Sequence, residues 1–222
     1  MGCFAGIINK ESPIYQEVND HFMAKGAITS CLDADLGWQD QEKFKLLTSD
    51  GLSNLLEYLQ DKNTFLVLPS FLDEKDIDSA ATLKDNLFKA FKVVQSISRL
   101  LLDNNKKANF VFMTSAPGLY GLIDYPFSPI YDLSIHSFVK SLAKELTPMG
   151  LSFYCLCCEP LMALLPKSEI RQYRNKMRVV AAKKIPLKTP ETAELLHNIC
   201  FNYSSLLSGS IITAGSGSEI LL

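Results

Sequence analysis

The sequence has neither an excess of charge of one sign nor a long hydrophobic run. Its 22 lysines and arginines are balanced by 24 acidic residues, which gives a formal net charge of −2. A basic surface for phosphates is therefore lacking, and we expect no nucleic-acid partner. No apolar stretch approaches the roughly 20 residues needed to span a bilayer, and no basic segment followed by a long apolar one opens the chain. We expect a cytoplasmic protein with no membrane partner.

Metal-ligand spacing is also lacking. Three of the six cysteines lie in the segment LSFYCLCC, which has the composition of a buried strand. Cys155 and Cys157 would share one face of that strand and Cys158 the other. No second Cys or His pair stands at zinc-site spacing elsewhere in the chain. The three histidines each stand alone in a predicted helix, at His21, His136 and His197. We expect buried thiols and no metal.

The chain does contain a regular alternation of apolar runs and helical periodicity. Six segments predict strands: CFAGII, AITSCL, TFLVL, ANFVFMTS, LSFYCLCC and SGSIITAG. The helical segments are IYQEVNDHFMAKG, NLLEYLQD, TLKDNLFKAFKVVQSISRLLLDNN, SPIYDLSIHSFVKSLAKEL and TPETAELLHNICFNY. This alternation predicts an α/β fold, a Rossmann-like doubly wound parallel sheet flanked by helices. Because no linker or repeat divides the chain, we expect a single domain over residues 1–222.

Four segments in order resemble the core of the short-chain dehydrogenases/reductases: KDNLFKAFKVVQ, FVFMTSAPGLYG, IYDLSIHSFVKSLAKELTPMGLSF, and IPLKTPETAELL with SGSIITAGSG. The resemblance covers most of the chain and is to the family as a whole. It implies the Rossmann-like fold of an NAD(P)-dependent oxidoreductase and assigns roles to particular residues. The family's asparagine in the long helix, which holds a water of the proton relay, corresponds to Asn86. Its substrate-binding serine corresponds to Ser115, and its acid/base tyrosine to Tyr131.

The lysine that the family places one helical turn after its tyrosine is absent, because that position is Ile135. The lysine ammonium lowers the pKa of the tyrosine and binds the nicotinamide ribose. A phenol without such a neighbour titrates near 10 and is a poor base at neutral pH. The separation of Ser115 and Tyr131 is also a few residues longer than in the family. Asn86, Ser115 and Tyr131 are therefore interpreted as vestigial positions, with no functional catalytic residue expected.

The family's glycine-rich cofactor loop is replaced as well. Its three glycines fall on Asn9, Pro13 and Tyr15, in a segment that also carries Glu11. Glycines there allow a tight turn and close approach of backbone N–H groups to a pyrophosphate, whereas proline has no N–H and glutamate repels phosphate. We therefore expect no bound cofactor.

Two further family motifs have changed: the segment after the fourth family strand is LPSF, and the nicotinamide-bordering dipeptide is Glu159-Pro160. Asp33 is the exception, since NAD-preferring members place an acid there for the adenosine ribose. A role for Asp33 as a turn residue before Asp35 explains its presence equally well. Loss of the motifs at separate sites favours a chain that no longer binds a dinucleotide.

The resemblance leaves three functional hypotheses. The first is a non-catalytic (pseudoenzyme) subunit that supports a catalytically active paralogue in a hetero-oligomeric alcohol or 3-hydroxyacyl dehydrogenase. Such a complex could act on CoA thioesters, for example in anaerobic aromatic degradation, with a heterotetramer formed through helices near residues 83–103 and 128–146. The second is an active NAD(P)-dependent 3-oxoacyl or alcohol reductase with an atypical cofactor loop. The third is a small-ligand-binding protein.

The two helices that the resemblance assigns to the subunit contact carry apolar residues at helical spacing. Some of these side chains must face the sheet, and the others are available to a partner. The apolar positions are Leu87, Phe88, Phe91, Val94 and Ile97 on the first helix, and Leu133, Phe138, Val139 and Leu142 on the second.

Overall fold

A parallel sheet of six strands organises the chain. The structure, a computed structural model, describes residues 3–8, 15–25, 27–32, 63–69, 79–115, 127–158, 188–200 and 206–215. In chain order the elements are β1 Cys3–Ile8, α1 Tyr15–Ala24, β2 Ala27–Leu32, β3 Asn63–Pro69, α2 Ala80–Asp103, β4 Ala108–Ser115, α3 Phe127–Leu146, β5 Leu151–Cys158, α4 Thr189–Asn198 and β6 Ile211–Ala214.

The order of the described strands across the sheet is β2-β1-β3-β4-β5-β6, and every neighbouring pair is parallel. The chain proceeds outward from β1 to β2 and later returns to the other side of β1 with β3. A reversal of this kind creates a crevice at the carboxyl ends of the strands, where open α/β sheets bind ligands. The predicted Rossmann-like sheet with flanking helices is confirmed.

Each face of the sheet packs against helices because side chains alternate along a strand. Phe110 and Phe112 of β4 and Phe153 of β5 pack with α2 and α3 on one face. Val111 and Tyr154 belong to a second cluster, with α1 and α4, on the other. The Phe110 and Phe153 rings stack with centroids 4.6 Å apart, as expected for residues paired in register on adjacent strands.

The thiols follow the same alternation. Cys155 packs on the α2/α3 face and Cys158 on the α1/α4 face. Cys155, Cys157, Cys158 and Cys200 are all buried and reduced. Buried thiols were predicted for the strand LSFYCLCC, and this is what β5 contains.

Local sequence fixes the ends of the long helix α2. The Ser79 hydroxyl accepts a hydrogen bond from the Thr82 amide at 3.2 Å, which satisfies one of the free N–H groups of the first turn. At the other end the Asn104 side-chain amide donates to the Leu100 carbonyl at 2.8 Å, and Asn105 takes a positive φ of 51°.

Most predicted elements coincide with observed ones, while the helix predicted for NLLEYLQD lies outside the described residues. Among the residues that are described, no helix is both long and apolar enough to cross a bilayer. Nor does this part of the chain hold a group of three or more His, Cys, Asp or Glu side chains able to bind a metal ion.

Candidate functional site

The carboxyl edge of the central strands brings together the ends of several elements. The chain leaves β1 at Ile8 and enters α1 at Tyr15, so six residues, NKESPI, join them. Strand β4 ends at Ser115, and α3 begins at Phe127. Because helices in parallel α/β units run antiparallel to the strands, the first turns of α2 and α3 lie at this same edge.

A buried polar network lies just inside this edge, between β4, α3 and β5. Thr114 Oγ1 is 2.9 Å from His136 Nε2, and the two share a hydrogen bond. The same hydroxyl is 3.3 Å from the Cys155 sulfur. All three residues are buried, and buried polar groups are costly unless they are paired. The network therefore holds α3 against two central strands.

Burial also determines the charge states in this network. It lowers the pKa of His136, and the Lys140 ammonium one turn away lowers it further, so the imidazole is neutral at pH 7. Burial raises the pKa of Cys155 well above its ordinary value. A protonated buried thiol is a weak hydrogen-bond donor and not a nucleophile. The Thr114–His136–Cys155 network thus has the properties of a structural anchor.

A buried carboxylate lies beside the same network. Asp132 is on α3 one turn before His136 and is buried. It contributes a smaller electrostatic increase in the pKa of Cys155, which places it within interaction range of that thiol. The sequence reasoning missed both Asp132 and Thr114. The sequence did contain a signal for them. Both are polar residues at positions where strand or helical periodicity predicts a buried side chain.

Tyr131 and Ile135 lie on the neighbouring stripe of α3, which packs into the hydrophobic cluster with α2, β4 and β5. Tyr131 is only 5% exposed and Ile135 only 1%. Lys140 is exposed and follows Tyr131 by nine residues, about 13 Å along the helix. The Tyr131 ring thus belongs to this hydrophobic cluster, and the residue one turn later carries no charge.

The fold can be compared with solved structures. A protein titled "Dehalogenation enzyme" superposes with a TM-score of 0.77 at 16% identity, with 98% of each chain covered. A 3-ketoacyl-(acyl-carrier-protein) reductase from Brucella melitensis complexed with NADH gives 0.75 at 15%, again over 98% of each chain. A short chain dehydrogenase from Leptospira borgpetersenii with bound NAD+ gives 0.77 at 14%, over 99% of this chain and 93% of that one.

The chain has the short-chain dehydrogenase/reductase fold. By sequence alone no protein-family profile matches it, and no curated protein does either. Dehalogenation and ketoacyl reduction both appear among the titles of its structural neighbours, so the fold does not by itself define a reaction.

On this fold the residues assigned from the resemblance lie on the expected elements. Asn86 is half-buried on α2, Ser115 is the last residue of β4, and Tyr131 is in the second turn of α3. The side chain of Ser115 lies outside the described part. Of the assigned cofactor-loop positions, Tyr15 begins α1. Asn9 and Pro13 lie outside the described residues, as do Asp33 and Glu159-Pro160.

Two histidines that stand alone in their own helices are neighbours in the structure. The rings of His21 on α1 and His197 on α4 lie edge to face with centroids 5.6 Å apart. The Phe22 ring is 5.3 Å from that of His197. Burial, the His21 ring and Lys25 lower the pKa of His197. The contact joins two helices that are far apart in sequence, which periodicity within either helix does not reveal.

The apolar residues of α2 and α3 divide between the core and the surface. Val94, Ile97 and Val139 are buried against the sheet, and Leu87, Phe138 and Leu142 are partly buried at the edge of that cluster. Four large side chains remain 42–50% exposed, and we call them the exposed apolar patch: Phe88, Phe91, Ile130 and Leu133. These four side chains lie on the solvent-exposed sides of α2 and α3.

Proposed function

We propose that this protein is a non-catalytic subunit with the short-chain dehydrogenase/reductase fold. It assembles with a catalytically active paralogue in a hetero-oligomeric alcohol or 3-hydroxyacyl dehydrogenase and stabilises that enzyme or shapes its active site. A CoA thioester substrate, as in anaerobic aromatic degradation, fits the reductase chemistry named for one structural neighbour. The observation that carries the proposal is the environment of Tyr131 on α3.

Tyr131 would need a nearby cation to act as an acid or base at neutral pH. Its neighbour one turn on is Ile135, which carries no charge, and both side chains are buried members of the same hydrophobic cluster. The longer Ser115–Tyr131 separation permits a second alignment in which the family positions move back by about one turn. They then fall on Ser128 and Asp132, which supply neither a phenol nor an ammonium. Both alignments lack the tyrosine–lysine pair.

The sequence of the connection between β1 and α1 supports the same proposal independently. The six residues between β1 and α1 contain no glycine, and they include Pro13, which has no N–H, and Glu11, which is negatively charged. A pyrophosphate would have to bind at this connection, beside the point where the strand order reverses.

The exposed apolar patch supports assembly. Large exposed apolar patches mark interaction surfaces in soluble proteins. Here Phe88 and Phe91 come from α2, and Ile130 and Leu133 from α3. Burial of such side chains contributes roughly 25 cal/mol per Å² before association costs, which makes a stable interface energetically reasonable.

Two measurements test the proposal. Calorimetric titration of the isolated subunit with NAD(H) and NADP(H) should give no binding. Co-expression with intact paralogues, followed by size-exclusion chromatography and mass measurement, should yield a mixed complex. Micromolar binding of a dinucleotide, or a stable monomer with every paralogue tried, would overturn it.

The second candidate is an active NAD(P)-dependent 3-oxoacyl or alcohol reductase with an atypical cofactor loop. It is favoured by the titles of two structural neighbours, which name bound NADH and NAD+. Dinucleotide binding together with turnover by the isolated chain would support it. A protein that binds a small ligand in the vacated cleft is the third candidate, and a thermal shift with a small-molecule set but not with dinucleotides would distinguish it.

A further inference from the structure

Among the residues that the structure describes, the charges around the exposed apolar patch are mostly positive. Lys84 and Lys92 lie one turn before and one turn after Phe88 on α2, and the Lys92 ammonium is 5.3 Å from the centre of the Phe88 ring. On α3 the first exposed charge beyond Leu133 is Lys140. The nearby opposing charges on the described part of these helices are the exposed Asp85 and the buried Asp132.

The remaining acidic side chains on the outer faces of these helices are distant from the patch. Asp103 and Glu145 lie at the C-terminal ends of α2 and α3. Each is twelve residues, about 18 Å along its helix, beyond Phe91 or Leu133 respectively. That distance is about twice the Debye length at physiological ionic strength, so they compensate the patch lysines poorly. A chain with net charge −2 therefore has a locally basic rim here.

Self-association through this surface would bring like charges together. In a two-fold contact the same patch faces itself, and positions equidistant from the axis lie opposite each other. On α2 such a contact would place the exposed face with Lys84, Lys92 and Arg99 of one copy against the same face of the other, with one Asp85 from each copy. Three positive charges and one negative charge from each copy would then meet an identical set. Like-charge pairs across an interface oppose association.

We infer that the exposed apolar patch docks onto a surface that is apolar at its centre and acidic around it, and that it binds such a surface in preference to a second copy of this chain. The inference rests on the proposed function, because it describes the face that the partner subunit must present. It adds a charge requirement that selects a mixed assembly over a homo-oligomer. Electrostatic complementarity of this kind determines partner choice and association rate.

A charge-reversed copy of the protein provides a defined probe. The variant Lys84→Glu/Lys140→Glu keeps the apolar patch and replaces two exposed rim lysines with acids. Full-length wild-type chain is immobilised, and the dissociation constant is measured for wild type, for this variant and for the control Lys25→Glu/Lys107→Glu. The control makes the same change in net charge at two exposed lysines outside the α2/α3 face.

The expected result is that wild type binds Lys84→Glu/Lys140→Glu at least tenfold more tightly than it binds wild type or the control. The difference should shrink when the salt concentration rises from about 0.05 to about 0.5 M, because salt screens the rim charges. Adding Leu133→Asp to the charge-reversed copy should abolish binding, since the change places a carboxylate in the apolar centre. Circular dichroism of each variant verifies that it is folded.

Equal affinity for wild type and the charge-reversed copy would overturn the inference. So would an equal gain with the control, or no mixed dimer at about 100 μM, a concentration that detects even weak complexes. Failure of the proposed function is a separate result: intact paralogues would not be captured, while the charge-reversed copy would still bind. Capture of a paralogue whose facing surface is basic would refute the charge requirement and leave the proposed function standing.

Discussion

Replacing Thr114 with valine should destabilise the protein by about 2 kcal/mol. The change preserves side-chain volume and removes the hydroxyl that lies 2.9 Å from His136 Nε2 and 3.3 Å from the Cys155 sulfur. A buried hydrogen-bonding atom left without its partner costs about 1–3 kcal/mol. The imidazole nitrogen loses this partner within a buried site, and water cannot reach it readily. For a chain of this length the loss corresponds to a fall in Tm of about 4–8 °C.

A double-mutant cycle isolates the contact. His136→Leu removes the ring but leaves Thr114 beside Cys155, so it should cost less through hydrogen bonding than Thr114→Val does. The combined variant should be less destabilised than the sum of the two, by about 1 kcal/mol, because replacing both partners with apolar groups leaves no unpaired nitrogen. Urea unfolding followed by circular dichroism gives the three free energies. A cost of Thr114→Val below about 0.5 kcal/mol, or strictly additive effects, would refute the anchoring role.

Three further predictions concern charge, chemistry and assembly. Burial lowers the folded-state pKa of His136 below its unfolded value of about 6.5, so the folded chain binds fewer protons than the unfolded one. This contribution to stability is fully present above about pH 6.5 and is lost as the pH falls through the folded-state pKa. The free energy of unfolding in urea should therefore fall less steeply with decreasing pH for His136→Leu than for wild type. The same pH dependence in both proteins would contradict this. Tyr131→Phe should change turnover of the assembled dehydrogenase less than about threefold in steady-state assays, whereas loss of a catalytic acid or base costs about 10²–10⁴-fold. Leu133→Asp should prevent mixed assembly in size-exclusion chromatography. It should leave the Tm within about 2 °C of the wild-type value, since the Leu133 side chain is half exposed. A complex that still forms with this variant would show that the α2/α3 surface is not the contact with the partner.

Periodicity predicted most of the described elements of this fold. The strands CFAGII, ANFVFMTS and LSFYCLCC are observed with the same bounds, because strands buried on both faces are nearly continuous apolar runs bounded by polar turns. The start of α2 was predicted two residues late, at Thr82 instead of Ala80, since the capping Ser79 lies outside the apolar pattern.

Contacts between elements were not predictable in the same way. Thr114 and His136 are 22 residues apart, and Thr114 and Cys155 are 41 apart. Periodicity indicates which face a side chain occupies, but the residue it meets depends on how the helix is placed on the sheet. The pairing of His21 with His197 was missed for that reason. The division of the α2 stripe, with Val94 buried and Phe91 exposed, also depends on that placement.

Helix α3 makes contacts on its inner side and offers a surface on its outer side. His136 anchors the inner side to the sheet, and Leu133 is exposed on the outer side. A partner that binds only the docked helix makes its detachment harder by RT ln(1 + [L]/Kd), about 2.7 kcal/mol at a hundredfold excess over Kd. Copies made in excess of their partner would lack that protection and would expose α3 to proteases more often. In the proposed complex, degradation of the surplus would then adjust the cellular amount of this chain to that of its partner, without any regulation of synthesis.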